Sequence, residues 1–162
     1  MSEQPFTDLE RRDTERHLLL AVDESENSKR AVMYAADFFG GYREIFITLL
    51  SIIPTPSEDF FDGEAGRRQW LRERETLMKK VLAGSREILL GAGFRPEQID
   101  SRLIIRPCTS IGDAILEEQG KMRCCIVVVG RRGISHNEEF ILGSTSSKIV
   151  HHAKHCAVMV VE

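Results

Sequence analysis

The sequence has no Cys-x-x-Cys pair, no surplus of basic charge and no apolar run near the roughly 18 residues that a membrane span needs. Its four cysteines, Cys108, Cys124, Cys125 and Cys156, lack zinc-ribbon spacing. The longest uninterrupted apolar stretches are of the size of Cys124 to Val129. With 22 Lys+Arg against 25 Asp+Glu, the formal charge is −3, so no general affinity for nucleic acid or an anionic membrane is expected. The opening MSEQPFTDLERRDTER contains no apolar h-region, so the reading is of a cytoplasmic protein with reduced thiols. Two catalytic signatures are missing as well. No G-x4-G-K-(S/T) occurs, since Lys148 lies five residues beyond Gly143, and no G-x-S-x-G elbow is found.

The 162 residues suit one domain, long enough to bury roughly 70% of its extended surface without staples. Residues 1–16 hold eight charges and no apolar periodicity, which reads as a mobile arm ahead of a domain over 17–162. His17 to Val22 is a short apolar run that suits a strand buried on both faces. Asp23, Ser25 or Asn27 then offers a cap for a helix carrying Ala31, Val32, Ala35, Ala36 and Phe39 and stopped by Gly40-Gly41. A second strand is expected over Glu44 to Ile53, a loop over 54–66 and a long amphipathic helix over about 67–92.

Ser101 to Arg106 reads as a third strand, followed by a helix around Ile111, Ile115 and Leu116 that Thr109 or Ser110 caps. CCIVVV (124–129), the most apolar strand, is expected at the centre of the sheet. A helix from about Ser144 to Ala153 and a last strand, Ala157 to Val161, placed at a sheet edge, complete the chain. This β-α alternation predicts an α/β fold, a five-stranded parallel sheet sandwiched by helices in a doubly wound, Rossmann-like arrangement.

In such sheets ligands bind outside the carboxyl ends of the strands, where strand order reverses. Two segments qualify: Ala21-Val22-Asp23, and the loop GRRGISHNEEFILGSTSSK with glycines 130, 133 and 143 spaced G-x2-G-x9-G. Gly130 and Gly133 would let backbone approach a bulky ligand and allow a positive φ. Gly143-Ser144 opens a helix whose free N–H groups and positive dipole end suit phosphate. Ser144, Thr145 and Ser146 add hydroxyls, and Arg131 and Arg132 add charge. The plainer alternative is a β–α loop in which the glycines only turn the chain and Ser144 only caps.

GRRG-x9-GSTSSK after a buried strand, together with LLLAVDESENSKRAV, TLLSIIP and the closing HHAKHCAVMVVE, resembles the ATP-binding branch of the universal stress protein family. That resemblance implies a five-stranded parallel sandwich, usually a homodimer through the last strand, here 157–161. It places Ala21, Asp23 and Ile52 around adenine and ribose, and Gly130 by the ribose and first phosphate. Gly133, Gly143, Ser144, Thr145 and Ser146 would follow the phosphates. ATP or another adenine nucleotide is the implied ligand, with Mg²⁺ bridging phosphate oxygens. Arg131-Arg132 stands where many relatives have a Ser-His-like pair; the guanidiniums would either grip the polyphosphate or lie in solvent. Glu138 and Glu139 are expected to point outward or pair with them.

The functional expectation is a nucleotide-dependent stress-response module that acts on a protein partner, with at most slow ATP hydrolysis. The alternatives are a dimeric scaffold with no nucleotide, or a slow ATP hydrolase. His151, His152, His155 and Cys156 include two i, i+4 pairs, but they read better as partners of a helix C-terminus than as metal ligands. Cys124 and Cys125 are expected on opposite faces, and Trp70 is expected to pack its helix while Phe60-Phe61 covers the sheet or awaits a partner.

Overall fold

A computed structural model describes residues 16–131 and 142–162. The strands are β1 (Arg16–Ala21), β2 (Ile45–Pro54), β3 (Ile99–Arg106), β4 (Ile126–Gly130) and β5 (Ala157–Val161). Between them run α1 (Glu26–Phe39), α2 (Gly63–Gly91), α3 (Ile111–Met122) and α4 (Ser144–His152). All strand pairs are parallel, in the order β3-β2-β1-β4-β5. The chain therefore winds outward from β1 to one edge, returns beside β1 at β4, and winds to the other edge.

The apolar runs are double-sided because both faces of the sheet are covered. Leu18, Leu20, Ile47 and Val128 join Ala31, Val32, Ala35 and Leu82, Leu89 of α1 and α2 on one face. Leu19, Leu50, Val127 and Val129 pack with Ile115 of α3 and Ile149 of α4 on the other. The expected five-stranded parallel α/β sandwich is what the chain forms, with β5 at an edge.

Several features differ from the sequence reading; β3, for one, starts at Ile99, two residues before the expected Ser101. β1, not β4, is the middle strand: strand order follows the winding, and apolarity reports only that both faces are covered. β4 starts at Ile126, because Cys124 and Cys125 form the connection from α3; Cys124 is buried there and Cys125 exposed. α2 begins at Gly63, four residues before the expected 67. Glycines 63 and 66 hid a first turn whose Glu64 sits favourably at the positive end of the helix dipole. The expected arm lies outside the described residues, apart from Arg16, which opens β1.

Helix starts follow local chemistry. Ser25 caps α1, its hydroxyl accepting from the Ser28 N–H at 3.1 Å, and Ser110 caps α3, accepting from the Asp113 N–H at 3.2 Å. Gly40 closes α1, its N–H donating to the Ala36 carbonyl at 2.9 Å. Trp70 meets Phe61 edge-on at 5.7 Å, leaving Phe60 in solvent.

Candidate functional site

Strand order reverses between β1 and β4, so their carboxyl ends diverge and leave a crevice. The β1 side is held firmly. The Val22 N–H donates to the Leu50 carbonyl at 2.9 Å, and the Ser51 hydroxyl donates to the Val22 carbonyl at 2.8 Å. Beyond it Asp23 ties the turn into α1: its N–H donates to the Ser28 hydroxyl at 2.9 Å and its Oδ1 accepts from the Ser25 N–H at 2.8 Å. One carboxylate oxygen of Asp23 is thereby committed to the fold.

On the β4 side Gly130 meets the first turn of α1. A Cβ there would lie 2.8 Å from the Asn27 carbonyl carbon and 3.0 Å from the Ser28 nitrogen. Gly130 is thus required for close strand–helix packing, and it has no positive φ. The expected positive φ is thus corrected, while Gly130 also lines the cavity described below.

Arg131 follows, and its backbone gathers three elements. Its N–H donates to the Val161 carbonyl of β5 at 2.6 Å. Its carbonyl accepts from the Gly143 N–H at 2.9 Å and from the Ser146 hydroxyl at 2.7 Å. Ser146 is buried, and its hydroxyl also lies 3.1 Å from the Gly143 carbonyl. This hydroxyl serves the local fold, holding the start of α4 against the end of β4.

α4 therefore opens into the crevice. The first N–H to find a helical partner is that of Ser147, which donates to the Gly143 carbonyl at 2.9 Å. The N–H groups of Ser144, Thr145 and Ser146 precede it and have no acceptor within the helix. Gly143 supplies no side-chain cap, in contrast to the serines that start α1 and α3.

A cavity of about 280 Å³ lies before these groups. Its apolar wall comes from Val22, Leu50, Ile52, Ile115 and Val129, and its polar rim from Asp23, Ser25 and Ser144 to Ser146. An apolar slot with a few convergent donors is the general form of a small-molecule site.

Of the residues singled out from sequence, Ala21, Asp23, Ile52, Gly130, Gly143, Ser144, Thr145 and Ser146 all line this cavity. Arg131 does not: its guanidinium pairs with the carboxylate of Glu162, beside the end of β5. Arg132, Gly133, Glu138 and Glu139 lie outside the described residues.

Several contributors escaped the sequence reading. Ile111 and Ile115 of α3 close one side of the cavity. Gly112 brings α3 against α4, since a Cβ there would lie 2.8 Å from Lys148 Cβ and 3.2 Å from the Thr145 carbonyl oxygen. A glycine in the first turn of an amphipathic helix was the available signal. His151 uses its Nδ1 on the Ser147 carbonyl at 2.8 Å. Among the described residues no group of three or more His, Cys, Asp or Glu could hold a metal, and no helix is long and apolar enough to cross a membrane.

A parallel α/β sandwich with its crevice at the reversal of strand order is a Rossmann-like architecture. Within that class the chain belongs to the universal stress protein family, whose model matches residues 15–162. A relative named as a universal stress protein, from Staphylococcus haemolyticus, is 28% identical over 149 residues, covering 91% of this chain and 85% of its own. Among solved structures, a universal stress protein in complex with cAMP superposes with a TM-score of 0.67 at 20% identity, covering 91% of this chain and 97% of its own. Another, from Archaeoglobus fulgidus in complex with dAMP, gives 0.63 at 16% identity, covering 91% of this chain and 98% of its own.

Proposed function

We propose that this universal stress protein binds an adenine nucleotide, ATP with Mg²⁺, in the crevice between β1 and β4. In this reading it works as a homodimeric, nucleotide-dependent stress-response module of the cytoplasm. The observation that carries the reading is the uncapped start of α4, aimed into a cavity whose opposite wall is apolar. Three N–H groups with no acceptor within the helix and the positive helix end suit a phosphate, and the slot beside Ile52 suits a flat base. The cAMP and dAMP complexes of two structural neighbours share an adenine and a phosphate, which supports the same ligand class here.

Bound Mg²⁺ would supply charge neutralisation between phosphate oxygens. This chain's own residues bind and orient: Asp23 offers its remaining oxygen to the nucleoside, and Ser144 and Thr145 offer hydroxyls along the phosphates. Among the described residues lining the cavity Asp23 is the one carboxylate, and one of its oxygens holds the turn into α1, so any hydrolysis is expected to be slow and incidental.

The β5 edge supports the dimer. Among the described residues β5 pairs only with β4, leaving the backbone groups of its other side for a second copy. Light scattering of the intact chain is expected to give twice the monomer mass, and a monomer would remove this part of the reading.

The site itself is tested by melting with added Mg-ATP. At 100 times Kd a ligand adds about 2.7 kcal/mol, which for a chain of this size raises Tm by roughly 5–10 °C. Gly143 has φ −66° and ψ 164°, open to any residue. Gly143→Val should therefore keep the parent melting temperature while abolishing the nucleotide shift. A parent protein that ignores ATP, ADP and AMP alike would replace this reading with that of a scaffold.

A further inference from the structure

At the opposite end of the sheet, three of the four cysteines converge. β4 and β5 run in register, with Ile126 opposite Ala157, and the Ala157 N–H donates to the Cys125 carbonyl at 2.9 Å. Cys125 and Cys156 are thus the neighbouring residues one step before the ladder. Side chains alternate along a strand. The Cys125 N–H donates to the His17 carbonyl at 2.8 Å, so its backbone continues the strand and alternation sets it on the side of Val127 and Val129, the face under α3 and α4 on which Cys124 and Cys156 pack. Cys125 is exposed, Cys156 half-buried and Cys124 buried.

We infer that Cys125 and Cys156 form a reversible intramolecular disulfide site that responds to hydroperoxides and staples the start of β5 to that of β4. Parallel neighbours lie about 4.8 Å apart, inside the Cα window of a disulfide. Their Cβ atoms must close by roughly 1 Å to reach the usual spacing of about 3.8 Å. Both residues sit in bends just before β4 and β5, and because the Cys125 backbone is bonded to His17 and Ala157, the closure falls mainly to Cys156 and to the two side chains.

The chemistry divides the roles. Burial pushes the Cys124 thiol up to about 12, with the nearby Cys125 and Cys156 adding repulsion. Burial also raises Cys156, with Cys125 adding to it. Cys125 is the exposed member, the sulfur that a peroxide in solvent can reach, and it is the nucleophile. Its thiolate sulfur attacks the terminal oxygen of the peroxide, the O–O bond breaks, and a sulfenic acid forms as water or alcohol departs. The Cys156 thiol then gives up its proton and attacks the Cys125 sulfur. The S–S bond forms and the sulfenic hydroxyl leaves with that proton as water. Two thiols are oxidised and one peroxide is reduced, and a thiol reductant reverses the change. Cys108 follows the carboxyl end of β3, at the far end of the sheet, and is no partner.

The test uses the reduced full-length chain, exposed to hydrogen peroxide, quenched with an alkylating reagent and measured by intact mass and peptide mapping. The expected result is monomeric loss of two of the four thiols, restored by dithiothreitol, with a cross-link between the segments carrying Cys125 and Cys156. No trypsin site separates Cys124 from Cys125, so Cys124→Ser is run in parallel and is expected to form the bridge as fully as the parent. Cys125→Ser, at an exposed position, and Cys156→Ser are each expected to form none. The oxidised parent should also melt above the reduced one, a difference absent from Cys125→Ser. A bridge that survives Cys125→Ser, one that needs Cys124, a product linked only between chains, or unchanged thiols would overturn the assignment. None of these outcomes depends on nucleotide.

Discussion

Gly130→Ala is expected to destabilise the protein by about 1–3 kcal/mol, the usual result of forcing extra volume into packed structure. Its new methyl group would sit 2.8 Å from the Asn27 carbonyl carbon and 2.9 Å from the Asn27 oxygen. These atoms are backbone of the first turn of α1, and they have no rotamer through which to retreat. The Ser25 cap and the Asp23 bonds to Ser25 and Ser28 tie that turn to the end of β1, so α1 and the crevice must shift together. Thermal unfolding should show a loss of roughly 2–12 °C, since each kcal/mol moves Tm by about 2–4 °C at this chain length.

Nucleotide affinity should fall with it, although Gly130 need not touch the ligand. Gly84→Ala is the control. Gly84 lies inside α2 with nothing within 4 Å of an added Cβ, and the change should stabilise by up to about 1 kcal/mol. A Gly130→Ala protein as stable as its parent would show that α1 does not press on β4 as described.

Leu19→Ala should have a larger effect, about 2–5 kcal/mol. Leu19 is fully buried in the middle strand, between Thr48 of β2 and Val127 of β4, in the cluster with Ile115 and Ile149. Strands pinned on both sides cannot collapse into the space left by the lost side chain, which puts the change towards the upper part of that range. Against a total stability of about 5–15 kcal/mol, this removes a large fraction. Urea unfolding should show a lower midpoint with an unchanged slope. Leu77→Ala, on the partly exposed face of α2, should differ from the parent by no more than about 0.5 kcal/mol.

The fold was legible because its signals are one-dimensional. HLLLAV, TLLSII and CCIVVV state that strands are covered on both faces, and intervening helical spacing then requires parallel crossovers. What the pattern could not state is lateral order. A strand of five residues beside the middle is as apolar as the middle strand itself, so β4 was expected where β1 stands.

The same division applies to the crevice. Glycine spacing followed by serines marked the start of α4, and Ala21, Asp23 and Ile52 converge on it. The pairing of Arg131 with Glu162 joins residues 31 apart in sequence and depends on β4 lying beside β5. The close approaches at Gly130 and Gly112 depend on which helix crosses which neighbour. A glycine shows that space is needed, while only the fold shows what takes it.

The carbonyl of Arg131 receives both the Gly143 N–H and the Ser146 hydroxyl, while its N–H holds the Val161 carbonyl of the edge strand. One residue's backbone thus links the start of α4 to the end of β5, and along the Gly143 path no side chain lies in between. A displacement of that helix start is carried straight to the edge of the sheet.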